Sequence, residues 1–411
     1  MKHLNRGVYA IVGVITLLFA GLVYAWSVLS TPIAAEFPAW TKAQLSLTFT
    51  LVMIFFCIGS LICGFLVGKL HIQSIMWFSA ALFLCGFVLA SRAQSLALLY
   101  IGFGFLCGLG SGLSYNAVMS TMVRWFPDKP GLISGVLLMG FGGGSFLIGK
   151  LYQAWTPAQI GGWRQSFVVM GIVIAVMFVV CSFFFVIPEE GTAVPAAKSG
   201  KAVSADVQDL TPGETLKSPN FWIYYVWAIV TSAAGLALIS QASGVVLEAA
   251  SATTAGRVAT IVGLISICNA VGRVLFGGMY DKYGRSLSMQ SVNGLFILTA
   301  LLLMWALAAK SLLIVIIGFI VGGLAYSGVT PTNSAFVRAY FGPKHYPINL
   351  PLVNSNLIIA SFGSTVSGAL FDRSGSYNAT FFLVIGVAAV GIACSLGISV
   401  LDKRKKQHSP M

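Results

Sequence analysis

Charge is scarce in this sequence, and acidic charge scarcer still. Only 9% of the 411 residues are charged, with 11 Asp or Glu against 24 Lys or Arg. A soluble domain carries about 25% charged residues, so this composition excludes a chain that folds in water alone. Histidine is rare too. The four, at 3, 71, 345 and 408, fall in expected loops or tails, which argues against a buried metal site. Seven cysteines (57, 63, 85, 107, 181, 268 and 394) lie inside apolar runs, without metal-ligand or disulfide-framework spacing. They read as small core residues. No cluster of buried nucleophiles, acids or metal ligands stands out, so neither an enzyme nor a cofactor is expected.

What the sequence has in excess is apolar length. Hydrophobic residues make up 57% and the mean hydropathy is +0.90. They come in runs of about 20 residues or more, the length that crosses a bilayer as a helix. Twelve such spans are expected, near 7–30, 43–67, 74–91, 96–122, 131–153, 164–187, 219–241, 256–280, 286–308, 311–336, 348–371 and 377–401. Each must be helical, because lipid offers the backbone no hydrogen-bond partners. The first run is too long for a signal-peptide core and reads as an uncleaved span.

Twelve spans put both termini on one face. Loops on that face hold 16 of the 24 Lys and Arg, those on the other hold seven, and Arg273 lies in neither. The imbalance predicts cytoplasmic termini, and the short loops suit a bacterial inner membrane. The net charge of +13 is then a topological bias, with no nucleic-acid partner implied. The basic tail from Asp402 to Pro410 reads as an anchor at the lipid surface.

A polar stretch rich in Ala, Ser and Pro, residues 189–218, reads as a mobile cytoplasmic linker. It separates a six-helix half, 1–188, from a second, 219–411. The halves echo each other. "GFLVGKLHI" (64–72) and "GGMYDKYGR" (277–285) are offset by 213 residues, and "NAVMSTMVRWFPDK" (116–129) and "PTNSAFVRAYFGPK" (331–344) by 215. Parallel repeats of this kind predict a pseudo-two-fold axis along the membrane normal and a substrate site near mid-depth.

"SICNAVGRVLFGGMYDKYGRS" (266–286) places Arg273 eight residues before Asp281, about 12 Å below the charged loop in a helix. All eleven acids fall in loops or at span ends. An arginine at mid-span costs about 2.5–3.5 kcal/mol on insertion scales, so it calls for an anionic partner. A guanidinium fork can hold a carboxylate through two bonds and stays protonated throughout. The competing reading is an arginine solvated by backbone carbonyls. One fixed cation suits one negative charge, which favours a monocarboxylate over a dicarboxylate.

"GGMYDKYGR" resembles the G-x-x-x-D-[RK]-x-G-[RK] loop of the major facilitator superfamily, in which it stabilises one face of an alternating-access cycle. Gly277, Asp281 and Arg285 are the corresponding latch residues, Asp281 pairing with Arg285 or with a neighbouring helix end. In the first half Gly68 stands where the acid would be. "YNAVMSTMVRWFPDKPGLISGVLLMGFGGGS" (115–145) resembles the oxalate/formate antiporter family, bacterial relatives of monocarboxylate transporters. "YAWSVLSTPI" (24–33), "SPNFWIYYVWA" (218–228) and "YSGVTPTNS" (326–334) extend the likeness over nearly the whole chain.

The resemblance implies a secondary carrier of small carboxylates, expected as a monomer, with protons as a second candidate partner. Arg273 falls on the family's anion-binding arginine. Tyr24, Tyr115 and Tyr326 fall on tyrosines lining the cavity, and Phe141 replaces another. The family's oxalate exchangers carry a lysine in the eleventh span; Asn356 stands there, with Asn354 two residues before it. Asn269, one turn from Arg273, stands where monocarboxylate transporters have an aspartate, and Val28 where they have a lysine. The amides of Asn354 and Asn356 can bond a carboxylate, hydroxyl or keto oxygen, and equally can bond neighbouring helices; Asn269 is a further candidate. Asn116 is a further candidate beside Tyr115. Competing readings are an oxalate or other dicarboxylate antiporter, a drug exporter, and a receptor on the same scaffold.

Overall fold

The computed structural model describes residues 5–156, 159, 161–186, 209–253 and 255–408. The described residues form helices and no strand, apart from one isolated bridge between Val67 and Leu70. Among the described residues, eleven helices are long and apolar enough to cross a membrane. The remaining expected span, the eleventh, is broken into three pieces, Tyr346–Asn354, Asn356–Ala360 and Phe362–Ser374. Pro351 lies inside the first piece, and a proline there removes one intrahelical hydrogen bond. The result is the expected all-α, twelve-span membrane architecture.

The first span is also interrupted. Helix Arg6–Ala20 tightens into a 3-10 turn over Gly21–Ala25, then continues as Trp26–Leu29 and Thr31–Glu36. Gly21 lies against the Phe141 carbonyl, where a Cβ would overlap the oxygen. The close approach demands glycine at the point where the helix changes pitch.

By its contacts the chain forms two compact units. The first comprises Met1–Asp128, Val136–Ala197 and Tyr346–Leu352; the second comprises Lys129–Gly135, Lys198–His345 and Val353–Met411. The core of the first is aromatic. Phe87 meets Phe103 and Phe167 edge-on at 5.6 and 5.3 Å, and Phe83 meets Phe178 at 5.4 Å. In the second, Tyr224 stacks on Phe336 at 3.7 Å. Large apolar side chains such as Trp305, Leu313 and Phe382 are exposed, as a lipid-facing surface requires.

Each unit ties down a helix end with a carboxylate. Glu36 accepts from Trp163 Nε1 at 2.6 Å and from Arg164 at 2.9 Å. Glu248 accepts from Ser376 Oγ at 2.6 Å and from the Tyr377 backbone N–H at 2.9 Å. Trp163 and Ser376 are 213 residues apart, the same offset as the sequence repeat, so an analogous carboxylate contact recurs in each half.

Of the expected linker, residues 189–208 lie outside the described residues. The remainder contains a short helix, Pro212–Lys217. Thr211 and Glu214 form a capping box at helix Pro212–Lys217, and the Thr211 hydrogen bonds hold the Glu214 carboxyl below the ordinary glutamate range. Asp209 accepts the Lys344 backbone N–H at 2.9 Å, and Leu210 donates to the Phe341 carbonyl at 3.0 Å. The T-P-G-E pattern carries this helix start, and the Pro- and Ala-rich context hides it.

Candidate functional site

In the first unit, three expected residues come together. The Tyr24 ring meets Phe141 edge-on at 5.3 Å, and Tyr115 lies 5.4 Å from Phe141. Phe56 joins them, 5.1 Å from Tyr115 and 5.7 Å from Phe141, and Phe49 lies 5.8 Å from Tyr24. Sequence reasoning missed Phe49 and Phe56. They sit seven residues apart, two turns of helix Lys42–Leu66, and that spacing is the signal that could have found them. Val28, one turn beyond Tyr24, is half-buried and faces Gly149. The cluster offers an apolar wall with two hydroxyls, a suitable lining for a small organic anion's carbon skeleton.

Asn116 does not join this cluster. Its Nδ2 donates to the Ser60 carbonyl at 2.8 Å and the Pro347 carbonyl at 2.7 Å, and its Oδ1 accepts from Ser120 at 3.1 Å. Both amide hydrogens are committed to backbone oxygens. On a helix, the residue after an inward-facing Tyr115 points about 100° away, and here that direction is into the packed interior.

In the second unit, Arg273 and Asn269 lie one turn apart on helix Ala255–Tyr283. Arg273 is buried, 8% exposed. Gly272 packs against Ser327, where a Cβ would overlap the hydroxyl. Arg273 is thereby carried close to the end of helix Leu312–Ser327, which bears Tyr326. The Tyr326 ring covers Gly235 of helix Pro219–Ala249 so closely that a Cβ there would run into it. The carboxamide oxygen of Asn269 is buried with no hydrogen-bond partner.

The two asparagines of the broken span differ. Asn354 Oδ1 accepts from Asn333 Nδ2 at 3.3 Å, and Asn333 Oδ1 accepts from the Tyr224 hydroxyl at 2.9 Å. That chain ties three helices together. Asn356 is fully buried; its Nδ2 donates to the Val353 carbonyl at 2.6 Å, and its Oδ1 has no hydrogen-bond partner. An unpartnered buried amide oxygen costs about 1–3 kcal/mol, so Asn356 and Asn269 carry unused polar capacity. Tyr224, missed from the sequence, links the network to the aromatic stack on Phe336.

The latch residues separate into two contacts. The Asp281 carboxylate accepts the Gly131 and Leu132 backbone N–H groups at 2.8 and 2.7 Å, at the start of helix Pro130–Trp155. Gly277, one turn earlier, lies against the Gly131 carbonyl with no room for a Cβ. Arg285 turns elsewhere, to the Tyr340 hydroxyl at 2.8 Å, the Ser395 carbonyl at 3.1 Å, Ser399 Oγ at 2.9 Å and Asp402 at 3.2 Å. Of the two arrangements open to Asp281, the structure takes the neighbouring helix end. No group of three or more His, Cys, Asp or Glu that could hold a metal occurs among the described residues.

The chain is similar to other membrane transporters. It is 28% identical over 276 residues to "Uncharacterized MFS-type transporter YhjX" of Escherichia coli (strain K12), covering 67% of this chain and 66% of that protein. It is 25% identical over 403 residues to the oxalate:formate antiporter of Oxalobacter formigenes, covering 97% and 92%. Its fold matches the crystal structure of the human organic anion transporter MFSD10 with a TM-score of 0.69 at 15% identity, over 96% of this chain and 100% of that one. The family profile described as Major Facilitator Superfamily matches residues 9–348 and 247–410. With its helical architecture, these matches establish that the chain belongs to the Major Facilitator Superfamily of membrane transporters.

Proposed function

We propose that this transporter carries a small monocarboxylate of the lactate, pyruvate or formate class by alternating access, with Arg273 as the group that binds the carboxylate. The observation that carries the proposal is a buried guanidinium in the middle of a spanning helix. Asn269 and Asn356 supply amide oxygens that can accept from a substrate hydroxyl.

A single charge on the substrate follows from the single arginine. Asn356 is buried and neutral, so a second carboxylate would enter low dielectric without a cation to meet it. Protons, where they move with the substrate, travel on its carboxyl group or on water, since an amide at Asn269 cannot relay them. The similarity to an oxalate:formate antiporter over nearly the full chain supports a second reading, exchange of dicarboxylate for monocarboxylate. We place the protein in a bacterial inner membrane with both termini in the cytoplasm, on the distribution of its Lys and Arg.

The test is uptake of labelled lactate, pyruvate, formate and oxalate into proteoliposomes. Each is measured with and without a pH gradient, and with and without internal counter-anion. Saturable uptake of a monocarboxylate, with oxalate a poor substrate, is expected. A preference for oxalate would favour the second reading, and no transport of any of the four would sink both.

A further inference from the structure

Pro351 has no N–H, so the Pro347 carbonyl, four residues earlier in helix Tyr346–Asn354, lacks its ordinary intrahelical donor. In a membrane interior such a carbonyl must be satisfied by another group. Asn116 Nδ2 reaches it at 2.7 Å while also donating to the Ser60 carbonyl at 2.8 Å. Gly64 lies against the same carbonyl with no room for a Cβ. Asn116, Ser60 and Pro347 are all buried.

The repeat gives this contact a counterpart. Gly64 and Gly277 are 213 residues apart, the repeat offset. Each lies against a carbonyl near the start of a helix, Pro347 for Gly64 and Gly131 for Gly277. In the second unit the Asp281 carboxylate completes the contact with two backbone N–H groups. In the first unit Gly68 holds the acid's place, and a Cβ added there would meet nothing within 4 Å.

We propose that Asn116 is a positioning residue that replaces the missing carboxylate. Its amide supplies the hydrogen bond Pro351 withholds and pins the first piece of the broken span to helices Lys42–Leu66 and Gly108–Trp125. The pin is neutral where its counterpart is charged, and it acts on a carbonyl where the counterpart acts on N–H groups. Transport requires the pin because the piece it fixes leads directly into Asn354 and Asn356.

The test is a rescue. N116L removes the donor and keeps the number and branching of side-chain heavy atoms, and P351A returns an N–H to the helix. In the purified full-length protein, N116L should speed hydrogen exchange in the Tyr346–Asn354 peptide by about tenfold, the scale of one lost buried hydrogen bond. In proteoliposomes supplied with whichever of labelled lactate, pyruvate or formate the wild type carries, which rests on the proposed function, it should cut maximal rate by about tenfold while KM stays within about twofold. N116L/P351A should recover both to within about threefold of P351A alone. Unchanged exchange in N116L, a raised KM at unchanged maximal rate, or no recovery in the double variant would overturn the proposal. If N116L does not fold, a folded double variant is itself the rescue, and failure of both overturns it. Exchange is read without substrate, so it stands or falls independently of which anion is carried.

Discussion

Asp281 and Gly131, 150 residues apart in the chain, meet at 2.8 Å, carboxylate oxygen to backbone N–H. With the second bond to Leu132 at 2.7 Å, the carboxylate caps the first turn of helix Pro130–Trp155. Two charge-assisted bonds combine with the helix dipole there. Gly277 makes the approach possible by leaving room for the Gly131 carbonyl.

D281N keeps the shape and removes the charge. An amide can accept one of the two N–H groups and turns its NH2 toward the other. The expected loss is about 1–2 kcal/mol, seen as a maximal transport rate about tenfold lower with KM nearly unchanged. G277A should do the same by steric overlap. Full activity in both variants would show that the contact does not govern the cycle.

Much of this was legible in the sequence for physical reasons. Lipid forces helices, so hydropathy located the spans. An expensive buried charge marks itself, so Arg273 stood out, and the loop motif marked Asp281. What stayed hidden depends on direction and on partners distant in the chain. Asn116 and Tyr115 are neighbours in sequence, yet one faces a ring cluster and the other two carbonyls. The Arg285 partners Tyr340, Ser395, Ser399 and Asp402 come from helices that only the folded chain brings alongside. The break near Asn356 was half legible: Pro351 announces a lost hydrogen bond, but nothing local says which group replaces it.

Arg285 is 8% exposed and makes four oxygen contacts through three nitrogens. Tyr340 donates to the same Asp402 oxygen at 2.6 Å, so the guanidinium, phenol and carboxylate close a ring. R285K offers one nitrogen and cannot span the Ser395 carbonyl, Ser399 and Tyr340 together. The melting temperature of the purified protein should fall by about 5 °C. D402N should cost less, because the side chain of Asp402 is 31% exposed and partly solvated already. Equal melting of R285K and wild type would mean the ring contributes nothing.

R273K tests the proposed substrate group directly. Lysine keeps the charge but loses the planar fork that holds both carboxylate oxygens, and its ammonium sits on a differently shaped stem. Uptake of monocarboxylate should fall by at least about a hundredfold in kcat/KM, corresponding to about 2.7 kcal/mol of transition-state binding. Hydrogen exchange of helix Ala255–Tyr283 should stay as in wild type, which separates a lost ligand contact from a lost fold. Near-normal transport by R273K would remove Arg273 from the binding role.

N356K tests why one negative charge and not two. Asn356 is fully buried and its Oδ1 has no hydrogen-bond partner, so the position already holds polar capacity without charge. A lysine there would bear a second cation whose desolvation is offset only when a second carboxylate arrives. Monocarboxylate uptake should fall, oxalate or another dicarboxylate should gain, and the ratio of their kcat/KM values should shift by about tenfold or more toward the dicarboxylate. The gain should weaken at high pH, where the new lysine sheds its proton, and should be absent in N356M, which has comparable length without charge. An unchanged ratio in N356K, with the protein still folded and active, would detach Asn356 from selectivity and leave the charge rule resting on Arg273 alone.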